Sequence, residues 1–190
     1  LDYIRRNYKK FKLNHWRTMF FQFLSVMAIV QAKYPSFRHN DLKANNLLVH
    51  KTSSTNSKYK YKINGQVYIV PNIGFQIKLW DFDFACIPGI VDNNKVEAEW
   101  TDKINIKAKR HQYYDVHYFF NTLTRKGFFP EFWESGNIST SVKDFVKRII
   151  PKETISGKNV TERGRLLSDK EFFTPDQILK TDPFFKSLRE

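Results

Sequence analysis

Between Asn14 and Tyr34 apolar residues recur at steps of three and four: Trp16, Met19, Phe20, Phe23, Leu24, Met27 and Val30. That spacing predicts a helix with one broad apolar face. Phe21, Val26, Ala28 and Ile29 lie off the stripe, so the helix is expected to be covered on most sides. Asn14 is placed to cap it and Pro35 to end it. Leu47, Leu48 and Val49 then predict a short strand, and residues 50–58 (HKTSSTNSK) a polar loop. YKYKI and QVYIV flank Asn64-Gly65, which supplies the two positive φ angles of a type I′ turn, so a β-hairpin is expected. FQIKL at 75–79 predicts one more strand, and residues 86–112 look irregular and basic. Further helices are predicted from Tyr113 to about Leu123 and up to Ile149, the second capped by Ser139 or Thr140. Thr174-Pro175-Asp176-Gln177 opens the last helix with a capping box and Pro at its first position. The order is helix, short strands, helices, without repeat or long linker, which is an α+β pattern.

A length of 190 residues allows one domain with a real core. An apolar content of 41% excludes a disordered chain. With 18 Phe and 16% aromatics, the core is expected to be built from rings. The longest apolar stretch, MFFQFLSVMAIV at 19–30, is broken by Gln22 and Ser25 and is short of the ~20 residues of a membrane span. No secretory signal is visible. Cys86 is the single cysteine, so neither an intramolecular disulfide nor a thiolate metal cluster can form, and a reducing, intracellular setting is expected. The formal charge of +13, from 32 basic and 19 acidic residues, favours anionic partners such as nucleotide phosphates, acidic peptides or nucleic acid. It is equally the charge of a solvated Lys-rich face.

Against this background residues 37–49, FRHNDLKANNLLV, stand out. If the strands at 47–49 and 76–79 are neighbours, Asn46 and Asp81 face one pocket from adjacent strand ends. A carboxylate and an amide oxygen are a hard-oxygen pair suited to Mg²⁺, which shares substrate phosphate oxygens. Asp41 could orient a hydroxyl and accept its proton, and Lys43 could neutralise a transferring phosphoryl group. These are the parts of a phosphoryl-transfer site. Singly, Asp41 and Asn46 would be read as turn and capping residues.

HNDLKANN resembles the H-R-D-L-K-x-x-N catalytic loop of eukaryotic-type protein kinases, and IKLWDFDFA resembles the strand that carries their D-F-G. The likeness extends along the chain. The first long helix looks like the family's buried helix before the catalytic loop, YYDVHYFFNTL like the helix that begins with its buried structural Asp (here Asp115), and TPDQILKTDPFF like its closing segment. The resemblance implies a C-terminal kinase lobe over residues 1–190, with a hairpin inserted at 50–75 between the two motif strands. It implies Asp41 as catalytic base, Lys43 as the phosphate-contacting Lys of serine/threonine-directed kinases, and Asn46 and Asp81 as the residues holding Mg²⁺ or Mn²⁺ with ATP. His39 would be structural, packing near Phe82. HNDLK, the hairpin ending in Pro71 to Phe75 and the D-F-D are most similar to kinases of large DNA viruses, the poxvirus virion kinase and giant-virus relatives. That places the expected setting in host cytoplasm or virion.

The departures are informative. Asn40 replaces the Arg that pairs with a phosphorylated activation loop in the family, so loop phosphorylation is not the expected switch. Asp83 stands in place of the D-F-G Gly, and no A-P-E follows. No Gly-rich phosphate loop precedes His39, and with Leu1 as first residue the chain reads as part of a longer protein. The N-terminal lobe would then come in cis or in trans, and the fragment alone is expected to be inactive. KINIKAKR at 103–110 reads as a solvated or substrate-facing surface, Cys86 as an inert apolar residue, and Arg163 and Arg165 have no assigned role. Two other readings remain at this point: a small-molecule phosphotransferase of the aminoglycoside or choline kinase type, which shares H-x-D-x₄-N, and a basic pseudokinase scaffold that binds nucleic acid or an acidic partner.

Overall fold

In the computed structural model, which describes residues 1–53 and 56–190, a short helix α1 (Asp2–Asn7) precedes the long helix α2 (Leu13–Lys33). The cap of α2 differs from expectation. Lys12 holds the N-cap position and its backbone N–H donates to His15 Nδ1 at 3.2 Å. Asn14 lies inside the first turn, where its Oδ1 accepts from Arg17. Pro35 follows the end of α2, and the Tyr34 N–H closes the last turn on the Val30 carbonyl. As expected, most of α2 is buried, with Trp16, Phe20, Phe21, Phe23 and Leu24 fully covered.

Four strands follow: β1 (Leu47–Lys51), β2 (Lys58–Ile63), β3 (Gln66–Pro71) and β4 (Phe75–Leu79). β1 pairs antiparallel with β4, Leu47 opposite Leu79 and Lys51 opposite Phe75. β2 and β3 form the hairpin, with Asn64 at φ 45° and Gly65 at φ 88°; both signs are those a type I′ turn demands. The polar loop expected at 50–58 narrows to the residues between β1 and β2, of which 54 and 55 lie outside the described residues.

Gln22 explains why the apolar run of α2 is interrupted. Its side-chain Nε2 donates to the Phe75 carbonyl and its Oε1 accepts from the Ile77 N–H at 2.9 Å. A buried strand edge needs such partners, and one amide on the helix supplies both. The hairpin lies against the other flank of α2, where Tyr61 and Tyr68 meet Phe21 with ring centroids 5.3 and 5.1 Å apart.

Beyond β4 come α3 (Glu99–Asp102), α4 (Tyr114–Thr124), α5 (Glu131–Glu134), α6 (Thr140–Ile149) and α7 (Pro175–Thr181). Ser139 takes the N-cap position of α6 without a capping hydrogen bond from its side chain. Thr174 and Gln177 form the full capping box of α7. The core where α2, α4 and α6 meet is aromatic: Phe23 stacks on Phe119 at 4.0 Å, Phe20 meets Phe120 at 4.9 Å, and Phe145 stacks on Phe184 at 4.6 Å. Ring pairs in offset or edge geometry add to the burial of their area. Among the described residues no helix is long and apolar enough to cross a membrane.

The basic segment 103–110 is not uniformly surface. Ile106 is fully buried. The Arg110 side chain is 3% exposed, bonded to the Asn105 carbonyl and paired with Asp169 at 3.0 Å. That Arg is a strut of the fold: its buried side chain ties Asn105 to the exposed Asp169.

Candidate active site

The segment from Arg38 to Asn46 runs between α2 and β1 and is pinned to α4 at several points. Asp115, fully buried in the first turn of α4, accepts from two backbone amides: His39 N–H on Oδ2 at 2.8 Å and Asn40 N–H on Oδ1 at 2.9 Å. Seven residues on, the Thr122 hydroxyl accepts from the Ala44 N–H at 2.9 Å. Residues spaced this way share one helix face, so α4 acts as a template for the loop. Asp115 is therefore structural, as the sequence indicates.

Asp41 is 5% exposed and held on both carboxylate oxygens. Oδ2 accepts from Lys43 Nζ at 2.8 Å and from Asn46 Nδ2 at 2.9 Å. Oδ1 accepts from Arg165 Nη2, and Arg165 Nη1 donates to the Asn40 carbonyl. The Arg165 guanidinium lies 4.3 Å from the centre of the Tyr118 ring. Burial, the largest influence, pushes the Tyr118 phenol up to about 12, so the ring stays neutral beside the ion pair. Sequence reasoning missed Arg165. Nothing local marks it, since it stands 124 residues from Asp41 and outside every motif.

Asn46 Nδ2 also donates to the Asp41 carbonyl at 2.8 Å. Both contacts use the amide nitrogen and leave the side-chain oxygen out of the pair with Asp41. The Trp80 N–H bonds the Asn46 carbonyl at 3.0 Å and the Trp80 carbonyl lies 3.0 Å from His39 Nε2. These bonds, with the β1–β4 register, hold the backbone of Trp80, and with it the start of Asp81, beside Asn46. Asp81 itself is exposed and sits at φ 62°, a left-handed backbone that is uncommon outside Gly and Asn. Of the four sequence candidates, Asp41, Lys43 and Asn46 are joined by side-chain hydrogen bonds, and Asp81 follows the backbone of Trp80 that bonds Asn46.

His39 packs on Phe82 with ring centroids 4.9 Å apart. Asp83 lies in a 3-10 turn, Phe82–Phe84, with its carboxylate 2.7 Å from Lys95 Nζ. A helical backbone there makes no demand for Gly. Asn40 has φ 64° and gives its side-chain amide to the Phe84 carbonyl at 3.0 Å. Cys86 is buried, and burial pushes its thiol up, the state of an inert cysteine.

A cavity of about 470 Å³ opens directly over Asp41 and Lys43, walled by Phe84, Trp100, Ile104, Phe128 and Arg163. A larger one, about 760 Å³, lies between the end of α2 and residues 169–174 and includes none of the four candidates. Chemistry favours the smaller: it holds a clamped carboxylate and uncommitted polar groups. Among the described residues no three His, Cys, Asp or Glu side chains come together as a metal site. Asn46 and Asp81 alone supply too few donors for a closed cage. They fit a cation that completes its shell with phosphate oxygens and water, the habit of Mg²⁺.

A buried carboxylate on an H-x-D-x-K-x-x-N loop, in an α+β fold with short antiparallel strands, is compatible with a protein-kinase-like fold, and the chain belongs to the poxvirus serine/threonine protein kinase family, whose model matches residues 4–172. It is 50% identical over 194 residues to the putative serine/threonine-protein kinase R400 of Acanthamoeba polyphaga mimivirus, covering all of this chain and 41% of that protein. Serine/threonine-protein kinase 2 of swinepox virus is 30% identical over 135 residues, 69% of this chain and 25% of the relative. The vaccinia virus (strain Copenhagen) protein of the same name is 31% identical over 111 residues, 58% of this chain and 22% of the relative. The chain therefore spans about two fifths of the mimivirus relative's length.

Proposed function

We propose that this chain is the catalytic-loop lobe of an ATP-dependent serine/threonine protein kinase. The observation that carries the reading is Asp41, held on both oxygens at the floor of a cavity open to solvent. In this reading Asp41 orients the acceptor hydroxyl and takes its proton, a role worth about 10²–10⁴-fold in rate. Lys43, whose side chain is 31% exposed, swings its ammonium from Asp41 toward the phosphoryl group in transit. The Asn46 oxygen and the Asp81 carboxylate hold the divalent cation, Mg²⁺ or Mn²⁺, that accompanies ATP. That cation, when bound, neutralises triphosphate charge. The walls Phe84, Trp100 and Phe128 exclude water from the acceptor and seat an extended peptide. The lobe that covers the nucleotide lies, in this proposal, outside residues 1–190, in cis or in trans, and the substrate is a protein inside the infected cell or the virion.

Membership of a family of serine/threonine protein kinases favours protein over small-molecule acceptors. The test is phosphate transfer from labelled ATP by the full-length protein containing this chain, with a Ser/Thr protein acceptor, choline and an aminoglycoside offered in parallel. Transfer to the protein acceptor alone, lost about 10²-fold or more in Asp41→Ala, is the expected result. Transfer to the small molecules, or an unchanged rate in Asp41→Ala, would sink the assignment.

A further inference from the structure

We propose that Arg165 is a positioning residue for Asp41: a built-in cation that fixes the carboxylate with no phosphate on the 86–112 segment. The inference rests on the reading of Asp41 as base. Its geometric basis is a two-pronged contact. One guanidinium nitrogen takes the Asn40 carbonyl and the other takes Asp41 Oδ1. Backbone and side chain on either side of one peptide unit are therefore held by a single rigid group. A planar fork can do this, and a lysine ammonium, a point charge on a flexible stem, cannot. The Tyr118 ring backs the guanidinium plane. The side chains of Arg165 and Asp41 are 7% and 6% exposed, so salt and water screen the pair little.

The loop that delivers Arg165 is itself anchored to α4. Val160 bridges Leu166, and the Thr161 N–H donates to the Arg165 carbonyl at 2.8 Å. Asn121 on α4 donates to the Gly164 carbonyl at 3.0 Å, and Arg125, just past its end, to the Glu162 carbonyl at 2.8 Å. Gly164 has φ 89°, and a Cβ there would lie 3.2 Å from Asn121 Nδ2. Glycine alone allows the loop to close that tightly. One helix thus sets Asp115 on the amide side of Asn40 and Arg165 on its carbonyl side.

Two points favour a separate cation in this role. Position 40 is a neutral asparagine whose side chain is taken up by the Phe84 carbonyl, so it brings no charge to Asp41. Lys43, the other cation on Asp41, is the group proposed to move toward the phosphoryl group. Arg165 is the contact that stays.

The experiment uses the full-length kinase with Arg165→Ala, Arg165→Lys and Asp41→Ala, measuring kcat, KM for ATP and acceptor, and rescue by added guanidinium. We expect kcat to fall about 10²-fold in Arg165→Ala with both KM values within about twofold of wild type. Millimolar guanidinium should restore rate saturably in Arg165→Ala and leave Asp41→Ala unmoved. Arg165→Lys should fold like wild type and recover only part of kcat, which keeps the test usable if the Ala variant unfolds. Wild-type kcat in a folded Arg165→Lys or Arg165→Ala, or a loss confined to KM, would overturn the inference while leaving the kinase reading intact. If Asp41→Ala keeps the wild-type rate, both fall together.

Discussion

Asp41 precedes β1 and Asp81 follows its partner β4, and the fold treats them in opposite ways. Around Asp41 three side chains converge, the backbone is pinned to α4, and exposure falls to 5%. Asp81 is exposed on a left-handed turn between Trp80 and Phe82, which are 58% and 52% exposed. The Asp41 carboxylate is satisfied by neighbouring side chains, whereas Asp81 and the two rings beside it are open to solvent. In the proposed reading, the group that must keep one geometry is packed and ion-paired, and the group that must accept an arriving cation and nucleotide is left open. The price of the first arrangement is that function and folding are tied together at Asp41 and separable at Asp81.

The sharpest way to break this contrast is to remove each carboxylate. Asp41→Ala should destabilise the fold by about 3–5 kcal/mol, because it strands the buried Arg165 charge, besides losing turnover. Asp81→Ala should abolish metal-dependent transfer yet cost no more than about 1–2 kcal/mol, the strain of an alanine in a left-handed backbone, since the exposed side chain loses no buried partner. Denaturant titration of the two variants decides it; equal losses of stability would mean that the asymmetry is not real.

A second handle is acid. His117 on α4 is buried, its Nε2 lies 2.8 Å from the Thr154 carbonyl, and burial lowers its pKa from 6.5 to about 4. The unfolded chain therefore binds a proton before the folded one does, and stability falls as pH drops from 6.5 toward about 4. A displacement of that size is worth on the order of 3 kcal/mol. His111, also lowered by burial, acts in the same direction. Since α4 anchors the loop from His39 to Ala44, acid should loosen the surroundings of Asp41. Thermal melts across this range should show the drop, and His117→Gln should flatten it.

On the other side of the comparison, Gln22→Ala leaves the Ile77 N–H and the Phe75 carbonyl without their partner. A cost of about 1–3 kcal/mol is expected, read by denaturant midpoint, with faster amide exchange along β4. The smallest effect belongs to the exposed Asp83–Lys95 pair, whose side chains are 58% and 52% exposed. Lys95→Ala should change stability by less than about 1 kcal/mol. A larger change would mean that the turn at Asp83 is more than a tolerated replacement for glycine.

How much of this was readable beforehand divides along a physical line. The β1–β4 neighbours, the hairpin at Asn64-Gly65, the capping box at Thr174 and the roles of His39 and Asp115 follow from local pattern or from a motif, and they appear where expected. Arg165, Gln22 and Arg110 do not announce themselves, because each works through partners far along the chain. Gln22 looks like a flaw in an apolar helix until the strand edge that it satisfies is in view. Arg110 looks like one more surface cation in a basic run until its buried side chain is seen to bond Asn105 and reach out to Asp169. Asn14 was the better cap by propensity, yet the backbone of Lys12 found His15 instead.

The Asn64-Gly65 turn carries one more consequence, and it concerns ageing. Asn64 Nδ2 donates to the Ala28 carbonyl at 3.2 Å and to Asp176 Oδ1 at 2.9 Å, tying the hairpin to α2 and α7. An asparagine followed by glycine is the sequence most open to deamidation, since glycine leaves the backbone nitrogen unhindered. Conversion to a carboxylate would replace that donor by an acceptor and set a negative charge against Asp176. Stored protein is therefore expected to lose the docking of its hairpin before it loses its core, and peptide mapping of aged samples at residue 64 would date the change.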